Sequence, residues 1–118
     1  MAVTDVKFEF YRGDTYERQI KISKISIPLT KMYFTIKERV EDKEPKLQKT
    51  LNNGITLIGS DDEYDTYTIR INANDTEYFK VNTNYVFDIE AHFEDVKRTL
   101  VVGTLYLKPS STRACNEC

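Results

Sequence analysis

The sequence is poor in the residues that most often carry chemistry. It has no tryptophan and only one histidine, two cysteines, four glycines and three prolines. Both cysteines, Cys115 and Cys118, belong to the terminal "CNEC". A tetrahedral zinc site needs a second pair of ligands, and a thioredoxin-like pair needs a helix start within a βαβ unit; the sequence offers neither. We therefore expect no bound metal and no cofactor.

Charges of the two signs are nearly balanced and interspersed. Seventeen Lys and Arg residues face 19 Asp and Glu residues, which gives a net charge of -2. The absence of a basic block argues against a nucleic-acid partner. No apolar run approaches the roughly 20 residues of a membrane-spanning helix, and the opening "MAVTDVKFEF" lacks the apolar centre of a signal peptide. We expect a protein that is made in a cytoplasm and has no membrane partner.

Strand-forming residues are what the sequence does contain. Eight Tyr and six Phe residues accompany frequent Ile, Val and Thr, and all of these favour β structure. A length of 118 residues suits one domain with a single core. We predict one all-β domain over residues 1–109, followed by a flexible polar tail over residues 110–118, since chain ends are usually loose.

Apolar residues alternate with polar ones in several short runs, which is the pattern of half-buried strands. The run at residues 15–22 points Tyr16, Ile20 and Ile22 inward, but Arg18 interrupts its apolar face. The final run is apolar on both faces, so its strand should be central or covered by a partner. The predicted inward-facing sets of the remaining runs, with the final run last, are Val6, Phe8 and Phe10; Met32, Phe34 and Ile36; Tyr67, Ile69 and Ile71; Tyr85, Phe87, Ile89, Ala91 and Phe93; and Val101, Leu105 and Leu107.

Turn-forming residues separate these runs. Gly13-Asp14 predicts a turn, residues 40–45 predict a loop, and Asn52-Asn53-Gly54 predicts a tight hairpin. Residues 72–80 break the alternation, and Asn74 or Asp75 could cap one short helical turn there. Gly103, inside the last run, predicts a bulge or the close approach of another backbone.

Together these segments predict seven to eight antiparallel strands and no long helix. We therefore predict an immunoglobulin-like β-sandwich, although the disulfide and the tryptophan of antibody domains are both missing. Tyr85 stands at the start of the penultimate strand, where such sandwiches have the tyrosine of a tyrosine corner.

Several of these segments resemble a known group of proteins. The quoted motifs are "YRGDT" at 11–15, "KMYFTIKE" at 31–38, the Gly54-Ile55 pair, "NYVFDI" at 84–89 and the glycine of "VVGTLYL" at 101–107. In this order they resemble immunoglobulin-like tail proteins of phages and prophages, such as the amino-terminal sandwich of baseplate upper proteins and tail fibres. The resemblance implies a virion structural protein, made in the bacterial cytoplasm and located in the tail. Its implied partners are other phage structural proteins, and copies of itself in a trimer or hexamer.

Four patterns that can carry chemistry or binding each have a simpler structural explanation. "RGD" at 12–14 fits a turn, the acidic residues 60–65 fit a hairpin turn without calcium-loop spacing, and "NDT" at 74–76 fits a cap. His92 shares the polar face of its strand with Asp88 and Glu90. A small sandwich face offers no cleft for a carboxylate pair, and no nucleophile is suggested near His92. We therefore predict that the protein is not an enzyme.

Surface aromatic and aliphatic residues indicate protein–protein assembly instead. The second apolar face of the last strand holds Leu100, Val102 and Tyr106, and we predict these three residues as a subunit interface. The alternative is a carbohydrate- or cell-surface-binding module that uses exposed tyrosines for stacking. The lack of tryptophan weighs against that alternative.

Overall fold

The computed structural model describes residues 3–25 and 27–109, with residue 3 described by its backbone alone. It confirms an all-β single domain with eight strands. The predicted tail, with Cys115 and Cys118, lies outside the described residues. The strands are β1 (Val3–Tyr11), β2 (Tyr16–Ser23), β3 (Lys31–Lys37), β4 (Leu47–Leu51), β5 (Gly54–Ser60), β6 (Tyr64–Ile71), β7 (Asn84–Phe93) and β8 (Val96–Lys108); one turn of 3-10 helix spans Ala73–Thr76.

All eight strands belong to one sheet, in the order β1-β8-β7-β3-β4-β5-β6-β2. The sheet folds over at the short junction between β4 and β5, where only Thr50↔Gly54 and Leu51↔Ile55 are paired. Strands β1, β8, β7 and β3 therefore face β5, β6 and β2 across one core, to which both groups contribute. The fold is a barrel-like β-sandwich.

Two strand pairs are parallel, so the prediction of antiparallel strands throughout was wrong. β1 runs parallel to β8, and β4 runs parallel to β5. Antiparallel pairing is enforced only where a tight hairpin joins two neighbours. β1 and β8 come from opposite ends of the domain, so no hairpin sets their relative direction.

The predicted turn at Asn52-Asn53-Gly54 is present and joins β4 to β5, but the prediction that it forms a tight hairpin was wrong. The positive φ angles fall on Asn52 (68°) and Gly54 (102°), on either side of Asn53. A two-residue hairpin turn of the expected type needs two consecutive residues with positive φ. The chain therefore crosses from β4 towards the second layer of the fold, and it does not return alongside β4 as an antiparallel partner.

The predicted inward faces form the core. The alternation in β3, β6 and β7 is followed residue by residue, because side chains two apart on a strand share a face. The buried members include Met32, Phe34 and Ile36 of β3; Tyr67, Ile69 and Ile71 of β6; and Tyr85, Phe87, Ile89, Ala91 and Phe93 of β7. Tyr16, Ile20 and Ile22 of β2 are only partly buried, since β2 is an outer edge of the sheet.

Arg18 occupies the gap that the sequence predicted in the apolar face of β2. It is exposed, and its guanidinium lies 5.2 Å from the centroid of the Phe8 ring. The ring of Tyr16 stacks on Phe10 at 4.3 Å in the same region. These contacts bring the two edge strands β1 and β2 together at the end where the turn at residues 12–15 joins them.

The predicted tyrosine corner is confirmed. The Tyr85 hydroxyl accepts a hydrogen bond of 2.8 Å from the backbone N–H of Lys80, five residues upstream, and the side chain is buried. The predicted short helical turn is present as well, but Asn72 is its N-cap in place of Asn74 or Asp75. The Asp75 carboxylate accepts the Asn72 backbone N–H at 2.7 Å, so Asp75 supports the turn from within.

Candidate functional site

The outward side of β7, β8 and β3 carries a shallow groove of about 450 Å³. We call it the outer-face groove. β-branched residues on neighbouring strands line it, and Val40 lines it from the loop after β3. Val40 is 74% exposed and Val102 is 40% exposed. Its main lining residues are Thr35, Val40, Val86, Asp88, Val102 and Thr104.

Asp88 introduces a carboxylate into this mainly apolar groove. Partial desolvation raises the pKa of Asp88, the neighbouring Glu90 raises it further, and Lys37 opposes both effects. Asp5 also lines the groove, from β1. A ligand that covers the groove must therefore offer a cation or a hydrogen-bond donor to Asp88. Otherwise the Asp88 carboxylate is buried without a partner, which weakens binding.

The charge of Asp88 should weaken the fold at neutral pH. Since the folded state raises the pKa of Asp88, it binds this proton more tightly than the unfolded chain, and stability falls as the group ionises. We expect Asp88→Asn to unfold at higher urea concentration than the parent at neutral pH. The gain should shrink as the pH falls and disappear below the ordinary value of 3.8.

Urea titrations at neutral and acidic pH measure this difference. The matched control is Asp95→Asn in the exposed turn between β7 and β8, which should change stability little at either pH. An Asp88→Asn variant that is no more stable than its parent at neutral pH would contradict the conclusion that folding raises the pKa of Asp88.

The structure separates the three residues predicted as an interface. Val102 lies in the outer-face groove, and Tyr106 follows on the same face, where its hydroxyl donates to Asn82 Oδ1 at 2.9 Å. Leu100 is skipped by the pairing, which passes from Ile89↔Val101 to Glu90↔Thr99. This bulge turns Leu100 away from the groove of Val102, so the prediction that all three share a face was wrong; Leu100 and Val101 line a different groove.

Sequence reasoning missed the contributions of Val40, Val86 and Thr104 to the outer-face groove. Val86 and Asp88 could have been found, because the alternation along β7 places both on its outward face. Val40 could not, since its position depends on the path of an irregular loop.

The His92 side chain lies on the same outward side of β7 as Asp88, further along the strand. Its Nε2 is 2.7 Å from Glu90 Oε1, and its ring centroid is 5.1 Å from that of Tyr33. Glu90 thus pairs with His92 and does not form a carboxylate pair with Asp88. The contacts orient the imidazole, but they bring no serine or cysteine side chain to it among residues 3–25 and 27–109. This cluster has a structural explanation as contacts along β7, between His92 and Glu90, and across to Tyr33 of β3.

The other motifs are also accounted for by local structure. The N–H of Gly13 in the "RGD" turn donates to Thr76 Oγ1 at 3.1 Å, and Arg12 donates to the Phe79 carbonyl at 3.3 Å. Thr76 of "NDT" is fully buried by this packing. In the turn at 60–65, Asp61 accepts the backbone N–H groups of Tyr64 and Glu63, and these bonds lower the pKa of its carboxyl group.

Exposed tyrosines, the feature on which a sugar-binding function would depend, are scattered. Tyr11 ends β1, Tyr64 begins β6, and Tyr78 follows the 3-10 turn. Within the part of the chain that the structure describes, no group of three or more His, Cys, Asp or Glu residues is placed to hold a metal ion. The same part contains no helix long and apolar enough to cross a membrane.

Comparison of the sequence with protein-family models and with curated proteins finds no match.

Proposed function

We propose that the protein is a structural component of a phage or prophage virion, in the tail, baseplate or a fibre, and that it assembles through its outer-face groove. The observation that carries this proposal is the groove itself. Val40 and Val102 are exposed beside a β-sheet whose opposite side is a closely packed core. Exposed apolar surface on a rigid scaffold, rimmed by polar groups, is typical of a protein–protein contact.

The roles of the motif residues support the resemblance to phage tail sandwiches. The "YRGDT" segment forms the turn between β1 and β2, Tyr85 forms the tyrosine corner, and Gly103 lies against the backbone of β1. These three motifs each have a structural role in the sandwich, which supports the proposal. The proposed partners are other virion proteins and further copies of this chain.

A charge placed in the groove should disrupt assembly. We expect the parent chain to form a trimer or hexamer whose mass grows with concentration. Val102→Arg should remain a monomer, because the long arginine side chain would occupy the groove and pair with Asp88, its cross-strand neighbour, in place of a partner subunit. Light scattering behind size exclusion measures the mass. The matched control is Leu57→Arg on β5, where the leucine is 49% exposed and does not line the groove.

Equal masses for the parent and Val102→Arg across the concentration range would remove the outer-face groove from self-assembly. The virion role has a separate test. Phage particles from the encoding strain are purified after prophage induction, and their proteins are identified by mass spectrometry. We expect this chain in the particles in a fixed ratio to other tail proteins, whereas its restriction to the particle-free fraction would overturn the proposal.

A further inference from the structure

One aromatic side chain projects from the fold without a contact of its own. Tyr78 is 89% exposed, the largest fraction among the exposed large apolar residues that the structure describes. Among residues 3–25 and 27–109, its hydroxyl has no hydrogen-bond partner and its ring contacts no other ring or cation. Tyrosine is enriched in interface cores relative to the rest of a protein surface. Tyr78 is therefore a candidate anchor for a contact with another molecule.

The backbone on either side of Tyr78 is fixed. The N–H of Glu77 donates to the Asn74 carbonyl at 3.3 Å, and the N–H of Phe79 donates to the Thr76 carbonyl at 3.0 Å. Thr76 and Phe79 are both buried. A tyrosine on a fixed backbone loses little conformational freedom on binding, because only two side-chain angles remain to be ordered.

The outer-face groove has the groups that Glu77 and Tyr78 would need. Lys37 of β3 pairs with Val86, and Asp88 follows two residues later on β7, so a cation and a carboxylate are diagonal neighbours in the groove. Tyr78 offers an aromatic ring with a hydroxyl donor. Glu77 is exposed and forms no ion pair in the part of the chain that the structure describes. The two sets of groups are complementary in charge and in hydrogen bonding.

The symmetry of the expected assembly also requires a second patch. A closed ring of three or more copies uses heterologous contacts, in which one patch of each chain meets a different patch of the next. The outer-face groove is one such patch, and Val40 belongs to it. Tyr78 does not line the groove of its own chain, so it is available to a neighbouring copy.

The other exposed apolar side chains fit the groove less well than Tyr78. Leu57 and Ile58 of β5 are about half exposed, at 49% and 51%, but they have no donor for the carboxylate in the groove. Tyr11 and Tyr64 are less exposed, and each ring already has a lysine ammonium group over it. Only Tyr78 among these five combines a free ring with a free hydroxyl.

We propose that Glu77 and Tyr78 of one copy dock in the outer-face groove of the next copy. The Tyr78 ring packs against the valines of the groove, its hydroxyl donates to the Asp88 carboxylate, and Glu77 pairs with Lys37. The contact satisfies Asp88 with a donor when the groove is covered, as a buried carboxylate requires. The inference deepens the proposed function by naming the segment that fills the groove, and it rests on that function for the ring of three or six copies.

Substitution of Tyr78 gives the first test. Circular dichroism should show that Tyr78→Ala keeps the fold, because the side chain is exposed. We expect its self-association midpoint, measured by light scattering behind size exclusion, to move to at least about tenfold higher concentration, as for an interface anchor. Tyr78→Phe, which lacks only the hydroxyl, should shift the midpoint by less. The matched control is Tyr64→Ala, at an exposed tyrosine outside the groove, which should assemble like the parent.

A mixture of two variants gives the decisive comparison. Val102→Arg keeps Tyr78 but has a blocked groove, and Tyr78→Ala keeps the groove but lacks the ring. Each variant alone should be monomeric at a concentration at which the parent assembles. An equimolar mixture, well above the association midpoint of the parent, should form a dimer of one copy each, because only one tyrosine–groove contact is possible. The control mixture of Tyr78→Ala with the double variant Tyr78→Ala/Val102→Arg should stay monomeric.

Charge exchange tests the second contact. Lys37→Glu and Glu77→Lys should each weaken assembly, and the double variant Lys37→Glu/Glu77→Lys should recover most of the loss, because the ion pair is restored in reverse. The proposal is overturned by a monomeric parent, by a Tyr78→Ala variant that assembles at the parent's midpoint, or by a mixture that forms no dimer.

These outcomes can be told apart from failure of the proposed function. If Val102→Arg is monomeric and Tyr78→Ala assembles fully, the outer-face groove remains an interface and only the role of Tyr78 is removed. The presence of the chain in purified phage particles is measured separately and does not depend on which segment fills the groove.

Discussion

Replacing Gly103 with alanine should lower the free energy of unfolding by about 3 kcal/mol, as expected when a packed site is overfilled and its surroundings must shift. A Cβ atom at this position would collide with the backbone carbonyl oxygen of Val6 and with the ring of Phe87. Gly103 pairs with Val6 on one side and with Phe87 on the other, so the collision cannot be relieved by a single side-chain rotation.

The neighbouring aromatic packing makes this site especially rigid. The Phe87 ring stacks on Phe8 with a centroid separation of 4.4 Å, and Phe8 in turn contacts Tyr16 of β2 at 5.4 Å. A displaced Phe87 would therefore disturb contacts that join the two layers of the fold. The carbonyl of Val6 is held equally firmly, because it belongs to the parallel ladder between β1 and β8.

Gly59→Ala is the matched control for Gly103→Ala. Gly59 also lies within a strand, but an added Cβ there meets nothing within 4 Å. We expect it to change the free energy of unfolding by less than about 1 kcal/mol in either direction. Urea unfolding monitored by circular dichroism measures both variants. Similar stabilities for the two alanine variants would mean that β1 does not approach β8 as closely as described.

The close approach at Gly103 illustrates what the sequence predicts well. A period of two residues identifies inward faces, so the core residues of β3, β6 and β7 follow from local pattern alone. Tyr85 and Gly103 are also recognisable from the sequence. A tyrosine at the start of the penultimate strand matches the tyrosine corner of sandwiches, and a glycine inside a strand predicts a bulge or the close approach of another backbone.

Relations between distant segments were not predictable in the same way. The parallel pairing of β1 with β8 depends on which edge the first strand reaches, and no local pattern encodes that choice. The bulge at Leu100 is equally hidden, yet it decides the candidate interface, because one extra residue moves Leu100 from the face of Val102 to a different groove, which Ile22 and Val101 also line. Both grooves form where segments that are distant in the sequence meet. The alternation of apolar and polar residues along one strand could therefore identify some of the residues that line each groove, but not the full set.

The second large effect on stability is expected at a buried ion pair that holds the 3-10 turn. The Nζ atom of Lys49 is 2.6 Å from Asp75 Oδ2, and the two side chains are only 10% and 18% exposed. The aliphatic stem of Lys49 lies against Gly54, where an added Cβ would collide with it. The pair therefore links β4 to the turn that places Thr76 against Gly13.

Lys49→Met should lower the free energy of unfolding by about 3 kcal/mol, because it leaves the Asp75 carboxylate without its cation in a poorly solvated position. Methionine keeps the apolar contact with Gly54, so the loss of stability measures mainly the effect of removing the positive charge. The matched control is Lys24→Met, which breaks the ion pair of Lys24 with Asp65, 3.8 Å long between side chains that are 41% and 28% exposed, and should cost less than about 1 kcal/mol.

A double-mutant cycle with Asp75→Asn separates the pair from the second role of Asp75, which accepts the Asn72 backbone N–H. The coupling energy between positions 49 and 75 should exceed about 1 kcal/mol, as is usual for residues in direct contact. A coupling energy near zero would mean that the two charges are solvated separately.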